Sequence, residues 1–117
     1  MTTKPFIPDV EIALADLTAA GTQLAEAIRQ QLDDQFNADD TLSALINSKI
    51  GSPNELTGRN HSYTSAEDWA KSTSDWRDAR KAVVHAEAFA EELRVAVRRA
   101  ELIARLAVLA AEQQAAA

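Results

Sequence analysis

Five consecutive residues carry the densest set of versatile polar groups in this chain: Arg59, Asn60, His61, Ser62 and Tyr63. Together they offer a guanidinium, an amide, an imidazole and two hydroxyls, enough to hold an anion or move a proton. Neighbours in sequence are not a catalytic set, however. A serine nucleophile needs a base placed against it in space and a third group to orient that base, and nothing selects such partners for Ser62. His85 stands far along the chain, and neither histidine has a second His, Cys or carboxylate at metal-ligand spacing. Asp33, Asp34, Asp39 and Asp40 put four carboxylates within eight residues. A hard cation would suit them, yet they lack the alternating ligands and turn glycine of an EF-hand loop, so a solvated acidic corner or a partner-binding patch is the expectation. There is no glycine-rich phosphate loop and no Gly-x-Ser-x-Gly elbow. The chemistry therefore predicts no enzyme, no cofactor and no metal.

The elements that position these groups read as helices. Residues 1–8 form an extended lead-in, because Pro5 and Pro8 fix their own φ and bias Lys4 and Ile7 away from helix. Phe6 and Ile7 could dock there on a neighbour. A first helix is expected over about 9–36, capped by Asp9, with Val10, Leu14, Leu17, Gly21, Leu24, Ile28, Leu32 and Phe36 as its apolar stripe. Gly21 on that stripe is either a tolerated weak point or a place where a second helix backbone comes close. A short helix over about 40–50 follows, buried through Leu42, Leu45, Ile46 and Ile50, and Gly51 with Pro53 stops it. Residues 51–64 are the one long loop, pinned by Leu56 and Tyr63. They are either a recognition site or a plain connector.

A long helix over about 65–114 contains neither Gly nor Pro. Thr64 with Glu67, or Ser65 with Asp68, reads as its capping box. Ser65-Ala-Glu-Asp-Trp69 is echoed one heptad later by Ser72-Thr-Ser-Asp-Trp76. The echo allows a second N-cap at Ser72–Asp75 or an unbroken helix with a soft spot at Ser72–Ser74, and the unbroken helix is the expectation. With Trp69 at heptad position a, the a positions run Trp69, Trp76, Val83, Ala90, Val97, Ala104, Ala111. The d positions run Ser72, Ala79, Ala86, Leu93, Ala100, Ala107. This alanine-lined seam suits close antiparallel packing on the first helix, and the Trp pair is a core anchor rather than a ligand cage. Val95, Leu102, Leu106 and Leu109 lie off the seam and Ile103 at its margin, so one partner helix cannot cover them all. They are the expected oligomer interface. Arg94, Arg98, Arg99 and Arg105 form a basic patch interleaved with Glu87, Glu91, Glu92 and Glu101, and no aromatic nearby could stack a base. The fold class is thus all-α: an elongated helical hairpin or bundle, one domain over 1–117, with coiled-coil-like packing and an oligomeric state.

The totals fit that picture. About a fifth of the 117 residues are alanine, a strong helix former that buries little area per residue. The net charge of −6 argues against general nucleic-acid affinity. It is concentrated in residues 1–64, with four basic against nine acidic side chains, whereas residues 65–117 hold eight against nine. There is no cysteine, no signal-peptide apolar core and no run of about 18 apolar residues that could span a membrane, so a cytoplasmic location is expected.

The run Asn54-Glu-Leu-Thr-Gly-Arg-Asn-His-Ser-Tyr-Thr-Ser-Ala-Glu67, through Thr57-Gly58, His61-Ser62 and Thr64–Glu67, resembles a loop-to-helix stretch of short helical proteins encoded by bacteriophages and prophages. The resemblance covers residues 54 to about 110 and implies an origin in a bacterial host rather than an activity. The function expected is a non-enzymatic, self-associating helical protein that binds another macromolecule, as a phage-encoded adaptor or inhibitor would. Arg59, Asn60, His61, Tyr63 and the four aspartates are the partner-binding candidates. The alternative is a nucleic-acid accessory protein using Arg94, Arg98, Arg99 and Arg105 from several copies at once.

Overall fold

The computed structural model describes residues 9–116. It is all-α, with α1 spanning Val10–Lys49, α2 spanning Tyr63–Ser72 and α3 spanning Ser74–Ala116. The lead-in at 1–8, with Phe6 and Ile7, lies outside the described residues. Contacts divide the chain into two compact units: the residues up to Ile28 with those from Phe89 onward, and Arg29–Ala88.

One helix, α1, occupies the stretch where two were expected, at about 9–36 and 40–50. The expected break at Asn37–Asp40 holds neither Gly nor Pro, and prolonging a helix costs less than nucleating a new one. The aspartates there support the helix they were expected to interrupt. The Gln30 amide donates to Asp34 Oδ1 at 3.0 Å, and the Gln35 amide donates to Asp39 Oδ1 at 3.0 Å, both one turn apart. Asp9 caps the start as expected, its Oδ1 accepting from the Ile12 N–H at 3.1 Å. Gly51, at φ 79°, supplies the left-handed residue just past the end.

Burial on α1 follows a 3.5-residue seam that shares Val10, Leu17 and Leu24 with the expected stripe and departs from it elsewhere. Ala13, Ala27 and Ala38 are buried, with Val10, Leu17, Ala20, Leu24 and Leu45 half-buried on the same heptad positions. Leu14, Leu32 and Phe36 point to solvent instead, Phe36 being 66% exposed. On α3 the expected register holds: Ala79, Val83, Ala90, Ala104 and Ala107 are buried at a and d, and Trp76, Ala86, Leu93, Val97 and Ala100 are half-buried there. In the unit built from the chain's two ends, Ala13 packs with Ala104 and Ala107, flanked by Val10 and Leu17, so the start of α1 meets the end of α3. In the other unit Ala38 packs with Ala79 and Val83, while Ile46 packs with Ala66 and Ala70 of α2 beside Leu42, Leu45 and Trp69. Alanine faces alanine, which selects the narrow seam: two small side chains let the backbones close in, and the larger leucines are left at the margins.

The long C-terminal segment is broken at Thr73, which corrects the expectation of an unbroken helix and matches the other reading, a second N-cap within Ser72–Asp75. Thr73 has extended backbone (φ −74°, ψ 151°), and its N–H donates to the Ala70 carbonyl, ending α2. Its Oγ1 then accepts from the Trp76 N–H at 3.3 Å, capping α3. Arg77 ties the two together by donating to the Ser72 carbonyl at 2.7 Å. At the other end of α2 the N-cap is Ser62, which accepts from the Ser65 N–H at 3.2 Å, in place of the expected Thr64 or Ser65.

Candidate interaction site

The 51–64 loop is ordered by its own backbone. Gly51 N–H donates to the His61 carbonyl at 2.9 Å, His61 N–H to the Ser52 carbonyl at 2.7 Å and Asn54 N–H to the Arg59 carbonyl at 2.7 Å, around an isolated bridge between Pro53 and Asn60. The tip is a turn in which the Asn54 carbonyl accepts from the Gly58 N–H at 2.9 Å and Asn54 Oδ1 from the Leu56 N–H at 3.1 Å. Gly58 takes φ 71° there, which only glycine adopts without strain.

This small hairpin holds Leu56 97% exposed, and Tyr63 is exposed as well. Neither pins the loop as expected; the backbone ladder does that instead. Behind the tip lies an open groove of about 580 Å³ whose walls include Lys49, Asn54, His61, Asp68 and Trp69. Of the four loop candidates, only His61 reaches it. His61 Nδ1 shares a hydrogen bond with Ser65 Oγ at 2.9 Å, which ties the loop to the first turn of α2. Arg59, Asn60 and Tyr63 are exposed outside the groove. Across its floor, Lys49 Nζ stands 4.7 Å from the centroid of the Trp69 ring.

The aspartates do not form an acidic corner. Asp33, Asp34, Asp39 and Asp40 are spread around two turns of continuous α1, with Asp34 and Asp39 bonded to glutamines. Among the described residues, no three His, Cys, Asp or Glu side chains gather closely enough to hold a metal ion.

Two further faces belong to α3. The first was missed in the sequence. Trp76, Arg80 and Val84, with Arg77, Lys81 and His85, line a shallow apolar-floored groove of about 280 Å³. Its signal is readable, since the residues recur at i, i+4 and i+8 on one side of the helix while Asp75 and Asp78 occupy another. The second face is the one expected to be in surplus. Val95, Leu102, Ile103, Leu106 and Leu109 are all exposed, between 40% and 61%. The arginines interleaved with them are exposed too, and Arg94 pairs with Glu91 at 2.7 Å.

No family model, curated protein or solved structure matches this chain. Among the described residues no helix is long and apolar enough to cross a membrane.

Proposed function

We propose that this is a non-enzymatic helical protein that self-associates through the outer face of α3 and docks on another macromolecule through the 51–64 loop. The observation that carries this reading is the row Val95, Leu102, Leu106 and Leu109, each more than half exposed on a helix whose opposite side is already packed. Scattered apolar residues are ordinary on a surface, but a contiguous row at helical spacing calls for cover. Leu56 supports the docking part, because a rigid hairpin presents an almost fully exposed leucine. A phage-encoded adaptor or inhibitor acting in a bacterial cytoplasm fits the resemblance at residues 54–67.

Light scattering and sedimentation at micromolar concentration test the first part. A dimer or larger assembly is expected for the native chain, and a monomer with unchanged helical content for a Leu102→Glu, Leu109→Glu variant. A native chain that stays strictly monomeric overturns it. Docking is tested by comparing capture from host extract with native protein and with Leu56→Ser. A partner held by both alike removes Leu56 from the site.

A nucleic-acid accessory role is the second reading. It is favoured by Arg77, Arg80 and Lys81 beside the Trp76 ring, in addition to Arg94, Arg98, Arg99 and Arg105. It requires binding that weakens steeply with salt, and no mobility shift of a duplex or single strand at low salt ends it.

A further inference from the structure

Four charges on the outer face of α3 are antisymmetric about Val95. Glu91 and Glu92 lie four and three residues before it, and Arg98 and Arg99 lie three and four residues after it. Glu91 and Arg98 are seven residues apart, so they share one flank of the face. Glu92 and Arg99, also seven apart, share the other flank. Val95 stands between the flanks, 60% exposed, and all four charged residues are exposed. Among the described residues, the one side-chain hydrogen bond or ion pair any of them makes is the Glu91–Arg94 pair on the same helix. Exposed pairs of that kind contribute little, so it does not withhold Glu91 from a partner.

We propose that the occupant of this face is a second copy of the chain, lying antiparallel about a two-fold axis at Val95. Each copy then sets Glu91 and Glu92 against Arg98 and Arg99 of the other. An axis perpendicular to both helices keeps each flank against the same flank of the partner while reversing chain direction. Glu91 therefore meets Arg98 on one flank and Glu92 meets Arg99 on the other, and the symmetry doubles both to four cross-pairs. A parallel, in-register pair would set glutamate on glutamate and arginine on arginine along the whole stretch. The interface is isologous, as two-fold dimers require, with Val95 packed on its own symmetry mate. This inference rests on the self-association proposed above and adds its geometry.

Charge exchange and cysteine crosslinking test that geometry on the full chain. Glu91→Arg with Glu92→Arg, or Arg98→Glu with Arg99→Glu, leaves like charges in all four pairs and should weaken the dimer by about tenfold or more. All four substitutions in one chain restore opposite charges across the axis and should return native affinity. The protein has no cysteine, so single probes read cleanly. Val95→Cys should oxidise to a disulfide dimer. Leu109→Cys should not, because the two copies of residue 109 stand about 42 Å apart at 1.5 Å rise per residue. If the fourfold variant stays dissociated, if Leu109→Cys crosslinks, or if Val95→Cys does not, the antiparallel arrangement is overturned. The native chain's self-association stands in each of those cases. A monomeric native chain overturns both proposals.

Discussion

Lys49, at the last turn of α1, places its ammonium 4.7 Å from the centroid of the Trp69 ring on α2. The ring's negative face attracts the cation, and the ring itself packs against the Ile46, Ala66 and Ala70 cluster. The pair therefore joins the two helices across the loop that separates them in sequence. Lys49→Met keeps the stem and removes the charge. It should lower stability by about 0.5–1 kcal/mol in urea denaturation, as expected for a partly exposed cation–π contact. In a Trp76→Phe background the fluorescence reports on Trp69 alone, and its emission should shift as the cation is removed. An unchanged midpoint and an unchanged spectrum would show that the contact contributes nothing.

Thr73 serves two helices with one side chain. Its hydroxyl donates to the Ala70 carbonyl at 2.6 Å and accepts from the Trp76 N–H at 3.3 Å. Thr73→Ala should cost about 1 kcal/mol through loss of the N-cap of α3, and Thr73→Ser should recover most of it. A Thr73→Ala variant that is more stable than the native chain would indicate that the alanine joins α2 and α3 into one helix.

The seam of α1 makes opposite predictions for two residues one half-turn apart. Ala38 is 4% exposed against Ala79 and Val83, so Ala38→Leu overfills a closed contact and should cost about 1–3 kcal/mol. Phe36 is mostly in solvent, so Phe36→Gln should change stability by less than about 0.5 kcal/mol. Thermal melts of the two variants decide between the alanine seam and the larger-residue stripe.

That contrast shows what could be read from the sequence and what could not. The heptad register of α3 was legible because apolar residues recur there at seven-residue spacing from Val83 to Ala107, and the second row at Val95, Leu102 and Leu106 runs beside that seam without displacing it. On α1 two stripes overlap. Hydrophobicity alone ranks Leu14, Leu32 and Phe36 above Ala13, Ala27 and Ala38, but fit against an alanine-rich partner ranks them the other way. Partner geometry is a tertiary property that no single-helix pattern contains. The aspartates misled for a related reason. Asp and Asn disfavour helix interiors by competing for backbone groups, yet Asp34 and Asp39 take glutamine side chains one turn away and leave the backbone intact. The loop candidates adjoin one another in sequence, but which of them line the groove depends on the hairpin pairing of Ser52 with His61, and only His61 does. Leu56 was given the wrong role for the same reason.

Gly21 offers the last test. It lies on the half-buried side of α1, and a Cβ added there meets nothing within 4 Å. No helix backbone comes close enough to require glycine, so of its two readings the tolerated weak point is the one the packing supports. Its φ is helical, so alanine fits without strain. Replacing glycine by alanine inside a helix removes backbone entropy from the unfolded chain. Gly21→Ala should therefore raise stability by about 1 kcal/mol, with a higher Tm and unchanged helical spectrum. A loss of stability, or a shift of the sedimentation coefficient toward the monomer, would mean instead that another backbone packs against this position in the assembled protein.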